Sequence, residues 1–223
     1  MVARALPGSG MQQVIQRCVA GEQVPLHSEH AIDNLVDRIC YVNFRQWQLE
    51  DAIRDPEINA EQAFVLIKQI QASNAERTRM MELIDRYYVN QRTHQLAAGN
   101  ATTKDGFPAC PSAGDDLDGT GAVEFHETLG QLVDILSILY VRRYHTAQLM
   151  AQGFEYHPGN GYRMEEAIDA IDRQIALCER SFLHLRDLFL AGRVALPPLS
   201  HFKLYATATE RRLIESTSKA PRD

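Results

Sequence analysis

The sequence predicts an all-α fold: an up-and-down bundle of about four long helices with accessory N- and C-terminal helices and one long loop. Three observations carry this. Apolar residues recur at alternating spacings of three and four over long stretches, as on one buried helix face. Proline, glycine and capping residues fall where those stretches begin and end. No segment of useful length alternates apolar and polar residues as a half-buried strand would. The 223 residues can bury a substantial core, and residues 1–223 read most simply as one domain, with 98–126 as a Gly/Pro/Asp-rich loop.

A short amphipathic segment, Met11 to Ala20, places Met11, Val14, Ile15 and Cys18 on one face. The first long helix is expected from Ser28, a good N-cap, to Asp55, with the stripe Ile32, Leu35, Ile39. Pro56 stops it, because the residue before proline is pushed out of helical geometry. The second starts after Asn59, where Gln62 completes a capping box, and runs to about Leu96. Its seam is Phe64, Ile67, Ile70, Asn74, Arg77, Met81, Ile84 and Tyr88. The third is expected over Glu127 to Gln152. The fourth spans Tyr162 to Ala191, with Asn160 as its cap, Gly192 at its end and a wholly apolar seam that includes Cys178. A last helix, His201 to Ser216, follows Pro197 and Pro198. Long helices of roughly 26 to 32 residues give a bundle about 40–45 Å long at about 1.5 Å per residue.

The formal net charge of −6 argues against a general nucleic-acid binder, which needs a basic face. No run of 18 or more apolar residues suggests a membrane span. The start, MVARALPGSG, lacks the apolar core of a secretory signal. Cys18, Cys40, Cys110 and Cys178 form no C-x-x-C pair. They read as reduced thiols of a cytoplasmic protein, with Cys110 in the loop.

Polar groups on predicted core faces are the most informative feature. Asn43, Trp47, Glu50 and Arg54 continue the stripe of the first long helix, and Asp51 lies one turn after Trp47. Asn74 and Arg77 interrupt the second, with Asp85 beside it. Asp134, Ser137, Val141 and His145 share a face of the third. Burying an unpaired polar group costs roughly 2–7 kcal/mol, so these residues must satisfy one another or face a cavity. As a pocket for a small polar or anionic ligand, Arg54 and Arg77 would bind negative groups and Trp47 would form a flat wall. Glu50 or Asp51 would act as base, with His145 as its complement. As a self-satisfied network, the same residues would fix helix register. A two-metal carboxylate site is disfavoured, since no Glu-x-x-His pair is present. His27 and His30, at a helix start, read as solvent-facing.

These residues also carry a resemblance. An Asn-x3-Trp-x2-Glu-Asp-x2-Arg pattern stands at Asn43, Trp47, Glu50, Asp51 and Arg54. It is followed by Asn74, Arg77, Ile84 and Asp85, then by Glu127, Thr128, Gly130, Asp134, Leu136 and Ser137, and by the Tyr144–His145 pair. Over about residues 30 to 152 the chain resembles the bacterial domain-of-unknown-function 4254 family. It departs at Ile135, where a basic residue often follows the aspartate, and at Leu129, where proline is frequent. The resemblance implies an all-helical fold and one shared polar site, but no reaction.

Within the loop, DLDGTGAVEFHE matches an EF-hand calcium loop. Asp116, Asp118, Thr120, the Ala122 carbonyl and Glu127 fall at ligand positions, with Gly121 at the sharp turn. Calcium is therefore the one candidate cofactor. Against it, the preceding segment holds two prolines, the loop has no partner loop, and Glu127 is also placed to cap the third helix.

No nucleophile elbow, phosphate-binding loop or dinucleotide fingerprint is present, so enzyme activity stays open. Three readings follow: a ligand pocket, a calcium-ordered interaction protein, and a structural bundle forming a homodimer through a helix seam. Exposed aromatics at Phe154, Tyr156 and Tyr162 would distinguish the second.

Overall fold

The computed structural model describes residues 8–27, 31–97, 127–156 and 161–197. The expected last helix, Ser28, His30, Asn160, Cys110 and the calcium-like residues 116–126 lie outside them. Five helices follow in order: α1 (Gly8–Val19), α2 (Ile32–Ala52), α3 (Ala60–Ala97), α4 (Leu129–Ala151) and α5 (Met164–Leu190). Among the described residues the only extended pairing is an isolated antiparallel bridge between Tyr156 and Arg163. The all-α expectation holds, and no described helix is long and apolar enough to cross a membrane.

Local signals set most helix ends. Asn59 and Gln62 form the expected reciprocal box: the Gln62 amide donates to Asn59 Oδ1 at 2.9 Å, and the Asn59 amide to Gln62 Oε1 at 3.3 Å. Gly192 ends α5 at φ +74°, a left-handed conformation that suits glycine. Three starts differ from expectation, and one is α5, which begins at Met164 after an extended Arg163 and not at Tyr162 behind an Asn160 cap. α2 begins at Ile32 after an extended Ala31 that makes no side-chain cap, later than Ser28. α4 is capped by Thr128, not Glu127. The Thr128 hydroxyl accepts from the Gln131 amide while the Gln131 side chain accepts from the Thr128 amide.

Cross-helix contacts fix directions. Arg38 reaches Glu76 and Gln46 reaches Asn74, so α2 and α3 are antiparallel. Arg77 meets Asp134 and Asp85 meets Gly130, so α4 reverses again. Arg143–Asp172 and Tyr140–Glu179 pair α4 with an antiparallel α5. α4 is the hub and packs against all four other helices. The accessory α1 is a full core member: Met11, Val14, Ile15 and Cys18 are buried against α2 and α4. Cys18, Cys40 and Cys178 are buried free thiols on three different helices. Burial pushes Cys18 and Cys178 up to about 11, and Cys40 higher still.

The seam expected for α3 is only half right. Met80, Ile84, Asp85 and Tyr88 are buried, but Phe64 and Ile67 are 57% and 42% exposed. A stripe averaging 3.5 residues rotates about 20° per heptad around a straight helix of about 3.6. Over this long helix the drift carries its N-terminal members off the core. Ile70 of the expected seam stays half-buried, and Ala63, Leu66 and Ser73 take the inward positions beside it.

Candidate functional site

The polar residues of three helices join into one chain of hydrogen bonds. At its centre Arg77 of α3 grips Asp134 of α4 through two parallel bonds, Nε to Oδ1 at 3.1 Å and Nη2 to Oδ2 at 2.6 Å. This is the bidentate geometry that makes arginine–carboxylate pairs strong and specific. Asn43 of α2 donates to Asp134 Oδ1 at 2.8 Å and also to the Ser137 hydroxyl, which donates onward to the Asp134 carbonyl. On the other side Arg77 Nη1 donates to Asn74 Oδ1 at 3.3 Å. Gln46 continues the chain by donating to Asn74 at 3.2 Å and to Glu50 at 3.0 Å, while Ser73 donates to Gln46 Oε1.

Asn43, Gln46, Asp134 and Ser137 are buried, and Arg77 is largely so. The chain runs from the interior to the surface, where Glu50 sits half-buried. Every step crosses between helices or climbs one turn, so helical spacing sets which residues share a face and helix packing sets which of them meet.

Trp47 and His145 stand beside this chain as a stacked pair, rings 4.9 Å apart and 11° from parallel. Phe44 stacks at 5.7 Å from the imidazole, and Tyr144 meets it edge-on. His145 Nε2 is buried without a hydrogen bond among the described residues. Burial therefore holds its pKa below 6.5, opposed by the Asp51 carboxylate. A depressed histidine contributes stability that is full above the ordinary value and is lost as pH falls through the folded value. Urea unfolding at about pH 7.5 and about pH 5 should show the parent losing more stability on acidification than His145→Phe. Equal losses in both proteins would disprove the assignment.

Asp85 plays a separate part. Its carboxylate, 1% exposed, accepts the Gly130 amide at 2.7 Å and so caps the second residue of α4 from α3. Negative charge suits a helix N-terminus. Gly130 has no side chain for good reason: a Cβ there would lie 2.2 Å from the Met81 carbonyl oxygen.

Of the sequence-predicted site residues, the network unites Asn43, Glu50, Asn74, Arg77 and Asp134, with Trp47 and His145 alongside. Asp85 lies apart. Arg54 was expected on the buried stripe but is 67% exposed, beyond the end of α2, and pairs with Asp51 at 3.2 Å. The chain has already left the helix there, so the helical spacing no longer holds. Glu127 is exposed just ahead of the Thr128 cap. Among the described residues no three His, Cys, Asp or Glu side chains gather to hold a metal ion. Sequence reasoning missed Gln46, whose signal was its spacing of three and four from Asn43 and Glu50. It also missed the packing reason for Gly130, which a sequence does not display. A groove of about 410 Å³ lies between the C-terminal ends of α3 and α5, bordered by Val89, Arg92 and Phe189, and none of the sequence-predicted site residues lines it.

Fold and site define a helical-bundle protein with an interior polar row. The sequence places it further: residues 33–109 match the model of a family described as protein of unknown function (DUF4254). That match bears out the resemblance carried by Asn43 to Asp85. No curated protein and no solved structure matches the chain.

Proposed function

We propose that the protein is a helical scaffold that presents its outer faces to a protein partner, and that its interior polar row sets helix register. The observation that supports this most directly is the double bond of Arg77 to Asp134, with Asn43 completing the same carboxylate. Arg77, the one interior cation expected to bind an anion, spends its guanidinium on partners of its own chain. Phe154, Tyr156 and Tyr162 add to the reading, being 46%, 56% and 62% exposed around the α4–α5 connection. Exposed aromatics of this kind are enriched where proteins meet. The test is thermal unfolding of the protein with millimolar phosphate, sulfate or citrate. No anion-specific stabilisation is expected. A rise in Tm that disappears in Arg77→Leu would overturn the proposal in favour of an anion pocket.

One observation favours a second reading, in which a small polar ligand binds beside Trp47. Among the described residues the buried Nε2 of His145 has no hydrogen bond and sits in a wall of aromatic rings, and Glu50 and Asp51 lie on the same stretch of α2. In that reading Glu50, Asp51 and His145 remain the acid–base candidates.

Calcium binding by Asp116, Asp118, Thr120, the Ala122 carbonyl and Glu127 is proposed separately on the spacing of the motif. Calorimetric titration of calcium into metal-stripped protein should release or absorb heat that Asp116→Ala abolishes. No heat, and no calcium-dependent rise in Tm, would reduce residues 116–127 to a connection.

A further inference from the structure

The N-terminal half of α3 carries an apolar strip that the other described residues leave open. Phe64, Val65 and Ile67 are 57%, 49% and 42% exposed. Phe64 and Ile67 lie one turn apart on one face, where the drifting seam has rotated away from the bundle, while Val65 points to another side of the helix. The inward positions there, Ala63, Leu66 and Ile70, are half-buried. Among the described residues the Phe64 ring is met from outside by the Lys68 ammonium, 4.4 Å from its centroid. Contiguous exposed apolar surface of this kind marks interaction sites.

The order of residues along the strip selects the occupant. Glu61, Phe64, Ile67 and Lys68 run acid, apolar, apolar, base within eight residues. Turned end for end, the same strip reads base, apolar, apolar, acid. A second copy laid antiparallel across it sets Phe64 of each chain against Ile67 of the other. Glu61 of each then comes alongside Lys68 of the other. The strip is therefore complementary to itself under a two-fold axis, as a closed dimer interface must be. Both apolar anchors and the Glu61–Lys68 charge pair are used twice. A parallel pairing would instead align Glu61 with Glu61 and Lys68 with Lys68, which is unfavourable.

We infer that the protein forms a two-fold homodimer through the N-terminal half of α3, with Phe64 and Ile67 as its apolar anchors and Glu61–Lys68 pairs at its rim. The inference rests on the scaffold reading and names its partner, a second copy of this chain. The two are separable. A monomer would leave the scaffold reading in place with a different partner. Anion-dependent stabilisation lost in Arg77→Leu would remove the scaffold reading without touching the dimer.

The test is sedimentation equilibrium of the full chain from low to high micromolar concentration. The parent is expected to self-associate to a dimer. Phe64→Glu, a surface substitution that leaves the helical circular dichroism unchanged, should be monomeric across the range in which the parent is dimeric. Glu61→Lys and Lys68→Glu should each weaken the dimer, and the double exchange Glu61→Lys/Lys68→Glu should restore it. A parent that stays monomeric throughout would overturn the inference, as would a Phe64→Glu dimer as tight as the parent's. Failure of the double exchange to restore a dimer weakened by both single changes would overturn the antiparallel pairing.

Discussion

Gly130→Ala is expected to be among the most destabilising single-atom additions this protein can receive, at about 3 kcal/mol or more. The new methyl would lie 2.2 Å from the Met81 carbonyl oxygen, and backbone cannot swing aside as a long side chain would. Two helices must separate to admit it. That movement also pulls the Gly130 amide away from the Asp85 carboxylate, leaving a buried charge short of a donor. Thr128 and Gln131 keep their reciprocal cap, so the start of α4 should stay helical while its docking to α3 fails. Gly153→Ala is the control. That glycine has φ +88° with nothing within 4 Å of a built Cβ, so only backbone strain of about 1–2 kcal/mol opposes the methyl. Urea unfolding of both variants against the parent gives the comparison. A Gly130→Ala protein as stable as Gly153→Ala would show that α3 and α4 do not approach this closely.

Arg77→Leu is the second large expectation, a loss of about 3–5 kcal/mol. The change removes both bonds to Asp134 and strands its carboxylate, 9% exposed, with only Asn43 and the Ser137 region for company. The physical origin is less the lost attraction than the uncompensated charge left behind. Asp134→Leu in the same protein should therefore recover a large part of the loss, because an apolar pair of similar size no longer demands solvation. A double-mutant cycle measures this directly: the two single losses should far exceed what the double variant shows. Additive losses would mean that the two side chains do not act as a pair, and would remove the main support for a register-setting network. The cycle also bears on function, since the double variant keeps the bundle while deleting any anion site.

Much of the fold was legible because it is written locally. The Asn59–Gln62 box and Gly192 after α5 each act within a turn of the helix end that they define, whereas α2 stops at Ala52, short of the Asp55 that Pro56 predicts. The polar row was legible as a set of residues for the same reason: Asn43 and Trp47, or Asn74 and Arg77, declare a shared face by spacing. Their pairing was not, because Asn43 and Asp134 are 91 residues apart and nothing local encodes which carboxylate meets which donor. Arg54 misled because a helical spacing was extended past the residue at which the helix stops. Phe64 and Ile67 misled because a 3.5-residue stripe and a straight helix part company over 38 residues. Gly130 looked like a motif residue, and only the proximity of a second backbone explains it.

The three buried thiols give the molecule an internal set of clocks. Cys18, Cys40 and Cys178 sit on α1, α2 and α5, and only the thiolate reacts readily with a disulfide reagent. Burial suppresses both access and ionisation in the closed state. Each thiol can therefore react only when its own helix lifts away from the core, and the rate at which it does so reports that local opening. Cys40, which donates to the Met11 carbonyl, times the separation of α1 from α2. Cys178, against the Leu132 carbonyl, times the release of α5 from α4. Three helices thus carry separate native markers of how they come apart.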